Sequence, residues 1–285
     1  METAHLPSAT APDPSQRWSI HAIIDGAVPV ALTLLGLVTT SPGRAGATLW
    51  LSSLAFSFAV LATPVLGGAG VVMLLAGRFG QRIQGPREKP APIAREAFET
   101  TRAMYVAACL MAFPLTQWRE GHPTGLVWSL DTIPGGLPWV LLQTLLGVVI
   151  IDAWLYWKHR LLHTRLLFGF HKGHHAFRDP TPFAGFAVAP VEALLTFWPV
   201  LLLCIPQATH YAPIYFSLVV AFVCLNFYLH CGVTLSWVEA TLPRVLLNTS
   251  AFHNVHHARA NTHFGEALIL WDILCGTRQS ARTRD

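Results

Sequence analysis

Apolar residues along this chain gather in long runs rather than at the spacing of a one-sided surface helix. A helix needs about 20 apolar residues to cross a bilayer, and six segments approach or exceed that pattern. The first covers residues 18–40, with Asp25 near its start. The second, 49–77, carries no charge and is long for one crossing. Pro64, Gly67, Gly68 and Gly70 lie inside it, so it reads as one kinked helix or as a helix plus a re-entrant piece. Residues 104–118 form a shorter, weaker third run and 137–157 a strong fourth. The fifth, 187–206, and the sixth, 212–229, lie five residues apart and predict a tight helical hairpin. The first 17 residues are polar and hold no apolar run, which predicts a tail ahead of a retained anchor rather than a cleaved signal. The fold class expected is therefore an all-α integral membrane protein of about six transmembrane helices.

Composition agrees. Of 285 residues, 53% are hydrophobic and 12% charged, against about 25% charged in a soluble domain. A disordered, collagen-like or disulfide-stapled chain is excluded, and an ordinary soluble enzyme would lack charge to cover its surface. The five cysteines form no C-x-x-C pair and read as buried free thiols. The net charge of +4 predicts basic loops on one membrane face rather than a nucleic-acid partner. Placement of Lys and Arg sharpens this. The loop 78–102, the loop 158–178, the C-terminal segment from Arg244 and Arg17 together hold 17 basic residues, whereas Arg44 and Arg119 stand alone on the other side. The positive-inside rule then expects both termini and both basic loops in the cytoplasm.

The histidines change the picture most. There are 14, nearly as many as the 15 Asp and Glu. His5, His21, His122 and His210 are isolated and read as surface or interfacial polarity. The other ten cluster: His159 and His163 as H-x-x-x-H, His171, His174 and His175 as H-x-x-H-H, His230 at the end of the sixth run, His253, His256 and His257 as a second H-x-x-H-H, then His263. Residues three and four apart share one helix face, so each motif offers two or three imidazoles to one ion. At this His content about 0.03 copies of H-x-x-H-H are expected by chance, and two are present. The charge rule, which used no His, puts all of them on the cytoplasmic side. First-row metals take about four to six ligands, so nine or ten imidazoles imply two ions. A structural zinc site would use about four ligands, commonly with Cys.

Missing motifs narrow the chemistry. His159 is followed by Arg160, so H-E-x-x-H is absent, and no G-x-S-x-G, P-loop or G-x-G-x-x-G occurs. The clusters contain no carboxylate for a two-His-one-carboxylate triad. Electrons for redox chemistry are therefore expected from a partner. Two rival classes remain: a His-rich membrane transporter or haem electron carrier, and a zinc-dependent lipid hydrolase, since His alone does not separate zinc from iron.

The motifs in order are Asp152-Ala-Trp-Leu-Tyr-Trp-Lys-His159-Arg-Leu-Leu-His163, His171-Lys-Gly-His174-His175, Pro190-Val-Glu192, Tyr228-Leu-His230-Cys-Gly232, His253-Asn-Val-His256-His257 with Phe264-Gly265, and Trp271-Asp272 through Gly276-Thr277. On these residues the chain resembles the fatty acid hydroxylase / sterol desaturase superfamily of membrane non-haem di-iron oxygenases. The resemblance covers residues 137–277. It implies a catalytic domain there, behind a polar tail (1–17) and N-terminal membrane helices (18–136) and ahead of a C-terminal tail (278–285). It implies a cytoplasmic His-rich helical cap holding two iron ions, and a metal set of His159, His163, His171, His174, His175, His230, His253, His256, His257 and His263. It further implies that dioxygen serves to hydroxylate or desaturate an unactivated C–H bond of a lipid such as a fatty acyl chain or sterol. The electron donor expected is a b-type cytochrome, a ferredoxin or a reductase. Three positions depart from the family pattern: His263 stands where Asn is common, Ala189 where some members have His, and Cys275 where Phe is usual.

Asp152 lies two helical turns before His159 on nearly the same face, which predicts support of a ligand imidazole or an ion pair with a basic neighbour. Glu192 and Asp272 carry the same pair of readings. Trp154, Tyr156 and Trp157 suggest an interfacial aromatic belt.

Overall fold

Ser19 starts the bundle. Its hydroxyl accepts from Ala22 N–H and opens α1 (Ile20–Thr39), satisfying a donor that the first helical turn would otherwise leave bare. The computed structural model describes residues 19–40 and 43–279; the polar N-terminal segment and residues 280–285 lie outside the described residues. Helix α2 (Arg44–Phe79) runs unbroken through Pro64, so the second apolar run is one helix. Gly68 serves packing rather than interruption: a Cβ there would come within 2.9 Å of the Phe227 ring.

Helix α3 (Ile93–Arg119) is nearly twice the length of the run that announced it. Its first turns are polar, and its middle is lined with small residues at zero exposure, including Ala103, Ala108, Cys109 and Ala112. It faces protein, not lipid. It packs on α1, α2 and the segments 182–186 and 190–204, the small-residue contact by which membrane helices approach closely. Helix α4 (Gly136–Leu162) and helix α7 (Ala212–His230) are long and apolar, as are α1 and α2. Among the described residues these four helices are long and apolar enough to cross a membrane, and the chain is an integral membrane protein.

The fifth run folds differently from expectation. It is an eight-residue helix, α6 (Pro190–Phe197), continued as a 3₁₀ helix over Trp198–Cys204. Pro199 lacks the N–H that would extend the α-helix. The tighter 3₁₀ coil rises about 2.0 Å per residue instead of 1.5, so 15 residues still reach from one end of the bundle to the other. At the start, Val191 N–H donates to Asp25 of α1; at the finish, Leu203 C=O accepts from Gly125 N–H.

Two short ladders mark the two ends. At one, β1 (Gln81–Arg82) pairs antiparallel with a later strand, Val233–Thr234; at the other, β2 (Leu126–Val127) pairs in parallel with β3 (His210–Tyr211). The strand Val233–Thr234 is β4. The remaining helices, α5 (Lys172–His175), α8 (Ser236–Thr241), α9 (Ser250–Arg259) and α10 (Leu270–Leu274), are short. They belong to the C-terminal half, where the histidines are. Arg82 and Arg87 at this end bind Asp179, which joins the α2–α3 loop to the loop after α5. The five cysteines are free; Cys109 and Cys231 are buried, whereas Cys224 is exposed.

Candidate metal centre

Four separate elements deliver the imidazoles. Helix α4 ends on His159 and His163, one turn apart. The chain reverses through a 3₁₀ turn at Phe168–Phe170 into α5, which carries His171 at its cap, then His174 and His175. Helix α7 ends on His230. Helix α9, capped by Thr249 Oγ1 accepting from Phe252 N–H, carries His253, His256 and His257 on adjoining turns.

These nine histidines form two groups. His159, His163, His171, His175 and His256 make one; His174, His230, His253 and His257 make the other. Within each, one ring nitrogen per residue lies within 4.8 Å of all the others. The nearest contacts are between Nε2 atoms: His159 to His171 at 3.1 Å, His175 to His163 at 3.1 Å, His175 to His171 at 3.0 Å and His256 to His175 at 3.1 Å. In the second group His253 to His230 is 3.0 Å, His257 to His253 3.2 Å and His230 to His174 3.3 Å.

Those spacings fit a shared cation. Imidazole nitrogens about 2.0–2.1 Å from one ion, at ordinary coordination angles, stand about 3.0–3.4 Å apart. Tautomers agree. His159 Nδ1 faces Phe264 C=O at 2.9 Å, His256 Nδ1 faces Thr262 C=O at 2.7 Å, and His230 Nδ1 faces Asn226 C=O at 2.9 Å. A carbonyl only accepts, so each Nδ1 holds the proton and each neutral ring presents its Nε2 lone pair to the group. Burial, reinforced by neighbouring imidazoles, pushes His163, His175 and His256 down to about 3. Burial lowers His171, His174, His253 and His257 as well. Neutral, lone-pair-bearing imidazole is the state that binds first-row metals.

The carboxylates divide. Glu192 Oε2 lies 2.7 Å from His171 Nδ1, as a carboxylate that orients a ligand histidine should. Burial raises the Glu192 carboxyl to about 8, against the opposing pull of Lys158. Among the described residues Asp152 touches no histidine and pairs with no cation. Its Oδ1 accepts from Ala267 and Leu268 N–H at 3.3 and 3.1 Å. Asp272 accepts from Phe264 and Gly265 N–H at 2.8 and 2.7 Å. Both acids hold the strap 262–268, whose Thr262 and Phe264 carbonyls fix His256 and His159. Any effect of theirs on the imidazoles runs through this backbone and not through a direct contact.

His263 stands apart from both groups. Its ring stacks on Phe252 at 3.7 Å, Nδ1 faces Phe252 C=O at 3.0 Å, and Nε2 accepts from Gln279 N–H at 3.0 Å. Both nitrogens are taken, so the tenth ligand expected from sequence is not brought to the groups. Its φ of 59° explains the residue type: His and Asn are the side chains most tolerant of the left-handed region. Gly232, at φ 69°, is required more strictly, because a Cβ there would meet Pro180 C=O at 2.9 Å. Tyr156 is fully buried and bonded to Thr277 at 2.9 Å, so it is not part of an interfacial belt. Trp157 is exposed and sits beneath the Arg160 guanidinium. His21 bonds to Leu166 C=O at 2.9 Å.

Sequence reasoning passed over Lys158 and Glu266. Buried Lys158 and half-buried Glu266 pair at 2.6 Å beside Glu192. A cavity beside the histidines takes part of its lining from Lys158, Glu192 and Glu266. His159, His171, His174, His230 and His253 contribute as well, and Phe186, Val188, Phe197, Phe222 and Leu229 are its apolar wall.

A bundle of apolar helices carrying two groups of buried, lone-pair-presenting histidines at one end defines a membrane protein with a His-rich metal-binding cap. Residues 144–277 match the family model described as Fatty acid hydroxylase. This half of the chain belongs to the fatty acid hydroxylase / sterol desaturase superfamily. Among curated relatives, lathosterol oxidase of Homo sapiens is 29% identical over 153 residues, 52% of this chain and 49% of its own length. A Delta(7)-sterol 5(6)-desaturase of Aspergillus fumigatus is 30% identical over 207 residues, 68% of this chain and 56% of its own. One of Gibberella zeae is 28% identical over 198 residues, 67% and 53%. The chain thus spans about half the length of the curated relatives it matches. No solved structure matches.

Proposed function

We propose that this chain is a membrane lipid oxidase: an oxidoreductase that hydroxylates or desaturates an unactivated C–H bond of a lipid with dioxygen. Electrons come from a b-type cytochrome, a ferredoxin or a reductase. The observation that carries the reading is the juxtaposition of nine imidazoles, eight of them buried, with an apolar-walled cavity. The relatives' names, lathosterol oxidase and Delta(7)-sterol 5(6)-desaturase, favour a sterol-like substrate and desaturation.

In this reading His159, His163, His171, His175 and His256 hold one iron, and His174, His230, His253 and His257 the other. Bound iron supplies activation of dioxygen. The protein's own part is positional. Glu192 and the carbonyls of Phe264, Thr262 and Asn226 keep the rings turned inward. Phe186, Val188 and Phe197 seat an apolar chain or ring and keep water from the reacting carbon. The basic loops at the His end support a cytoplasmic cap with both termini on that side.

One reaction tests this. The purified chain, loaded with iron and given a reductase system and a lipid extract, yields a product heavier by one oxygen or lighter by two hydrogens. Protein purified without dioxygen that holds zinc alone and shows no iron-dependent product would overturn the oxidase reading in favour of a zinc enzyme.

A further inference from the structure

Asp25 is the one carboxylate of α1 and, with Gly36, one of its two buried residues. An acid inside an apolar span is costly and is kept for a partner. Among the described residues Asp25 enters no salt bridge. Its Oδ1 instead accepts from Val191 N–H of α6 at 3.0 Å. That donor needs an acceptor from outside its helix. Pro190 opens α6 without an N–H, so Val191 carries the first free one. Ala189 stands at the cap with extended backbone, but it has no side-chain oxygen and makes no capping bond. Asp25, 166 residues earlier, supplies the capping oxygen, and a carboxylate also suits the positive end of the helix. The other end of α6 is held from α4: Trp154 Nε1 donates to Leu195 C=O at 2.7 Å and Lys158 Nζ to Thr196 Oγ1 at 3.0 Å. Glu192 sits in the first turn, one residue past Val191, and its Oε2 meets His171 Nδ1 at 2.7 Å. A slip of that turn is passed to Glu192 undiminished.

We infer that Asp25 is a positioning residue for the five-member histidine group: by capping α6 from α1 it sets Glu192 against His171. The inference rests on the reading of that group as a metal site and is independent of the reaction run there. Asp25 lies outside residues 144–277, the stretch that matches the family model. The N-terminal half of the chain thus tunes a site whose ligands all belong to the C-terminal half, through a path of two side chains and one helical turn. A contact that merely fastened α1 to the bundle would weaken the whole fold when lost; this one acts on a single ring.

Zinc binding tests this without turnover. The full chain, purified metal-free in detergent, is titrated with zinc against a calibrated chelator that resolves the two histidine groups. Asp25→Leu weakens zinc about threefold to tenfold in the same phase that Glu192→Gln weakens, and leaves the other phase unchanged. In the Glu192→Gln chain, Asp25→Leu weakens zinc by no more than about twofold further, because the two residues act along one path. Asp25→Asn, whose amide oxygen still accepts from Val191 N–H, stays within about twofold of the native chain. Ala189→Ser, which places a capping hydroxyl on α6 itself, restores the zinc affinity lost in Asp25→Leu. Native affinity in Asp25→Leu, losses that add in full, losses shared by both phases, or losses that Ala189→Ser does not repair overturn the positioning role. An Asp25→Leu chain that fails to fold and is not restored by Ala189→Ser assigns Asp25 to the stability of the whole bundle and overturns it too. A native chain that binds no zinc sinks the metal-site reading itself, whereas one that binds zinc and oxidises no lipid sinks the oxidase reading alone.

Discussion

The two histidine groups are built to different standards. In the five-member group, three rings are fixed from outside: His159 by Phe264, His256 by Thr262 and His171 by Glu192. In the four-member group His230 is held by its own helix through Asn226, while the buried Nδ1 atoms of His174, His253 and His257 have no hydrogen-bond partner among the described residues; in the five-member group this holds for His175 alone. One group is oriented by the protein before an ion arrives; the other leans on the ion to order its rings. Nearly all the anchoring comes from the strap 262–268 and from α6, so the difference follows from which elements pass behind each group.

The largest effect expected is from removing a ring. His256→Ala in the first group and His174→Ala in the second each lower bound metal by about one ion per chain and cut lipid oxidation by about a hundredfold or more. Mass spectrometry of lipid products and metal analysis check this; an unchanged product in either variant would show that group to be dispensable. Next, Glu192→Gln lowers metal affinity about 10- to 100-fold at the five-member group alone, read by competition with a calibrated chelator. Chelator titration of the native chain should then remove metal in two phases, the four-member group first; a single phase would erase the distinction drawn above.

A pH effect comes after these. The metal-free fold holds His163, His175 and His256 near 3, against 6.5 when unfolded. Below pH 6.5 the unfolded chain takes up protons that the fold refuses, so stability is full above about 6.5 and falls progressively toward 3. The thermal midpoint of metal-free protein in detergent is expected to be lower at pH 5 than at pH 7.5. The smallest effect belongs to His263→Asn: metal stoichiometry unchanged and stability altered by less than about 0.5 kcal/mol, measured by thermal unfolding.

What sequence could tell was set by how local the signal is. Histidines three and four apart announce themselves on any helix, and eight of the nine that converge have that spacing; His230 stands alone at the end of α7 and joins the set only through the family resemblance. The grouping into five and four was not legible, because it depends on how α5 and α9 cross. The anchors were harder still. Asp152 stands out in the sequence as an unusual acid, but its target is the backbone of Ala267 and Leu268, and backbone atoms leave no trace in residue identity. Lys158 reads in the sequence as one more basic loop residue; the fold closes Glu266 and Thr196 around it. Helix α3 was underestimated for the converse reason: hydropathy reports affinity for lipid, and a helix buried in protein has no need of it. The fifth run carried enough apolar residues, yet only the position of Pro199 hinted that half of it would adopt a different coil.

Helix α2 has 36 residues and is thus about 54 Å long, whereas the hydrocarbon layer is about 30 Å thick. The surplus makes hydrophobic mismatch a permanent condition of this protein. The far end of α2 is tied through β1 and β4 to the histidine cap, so however the helix tilts, the cap tilts with it. Bilayer thickness thereby becomes a setting on the depth at which the imidazoles ride.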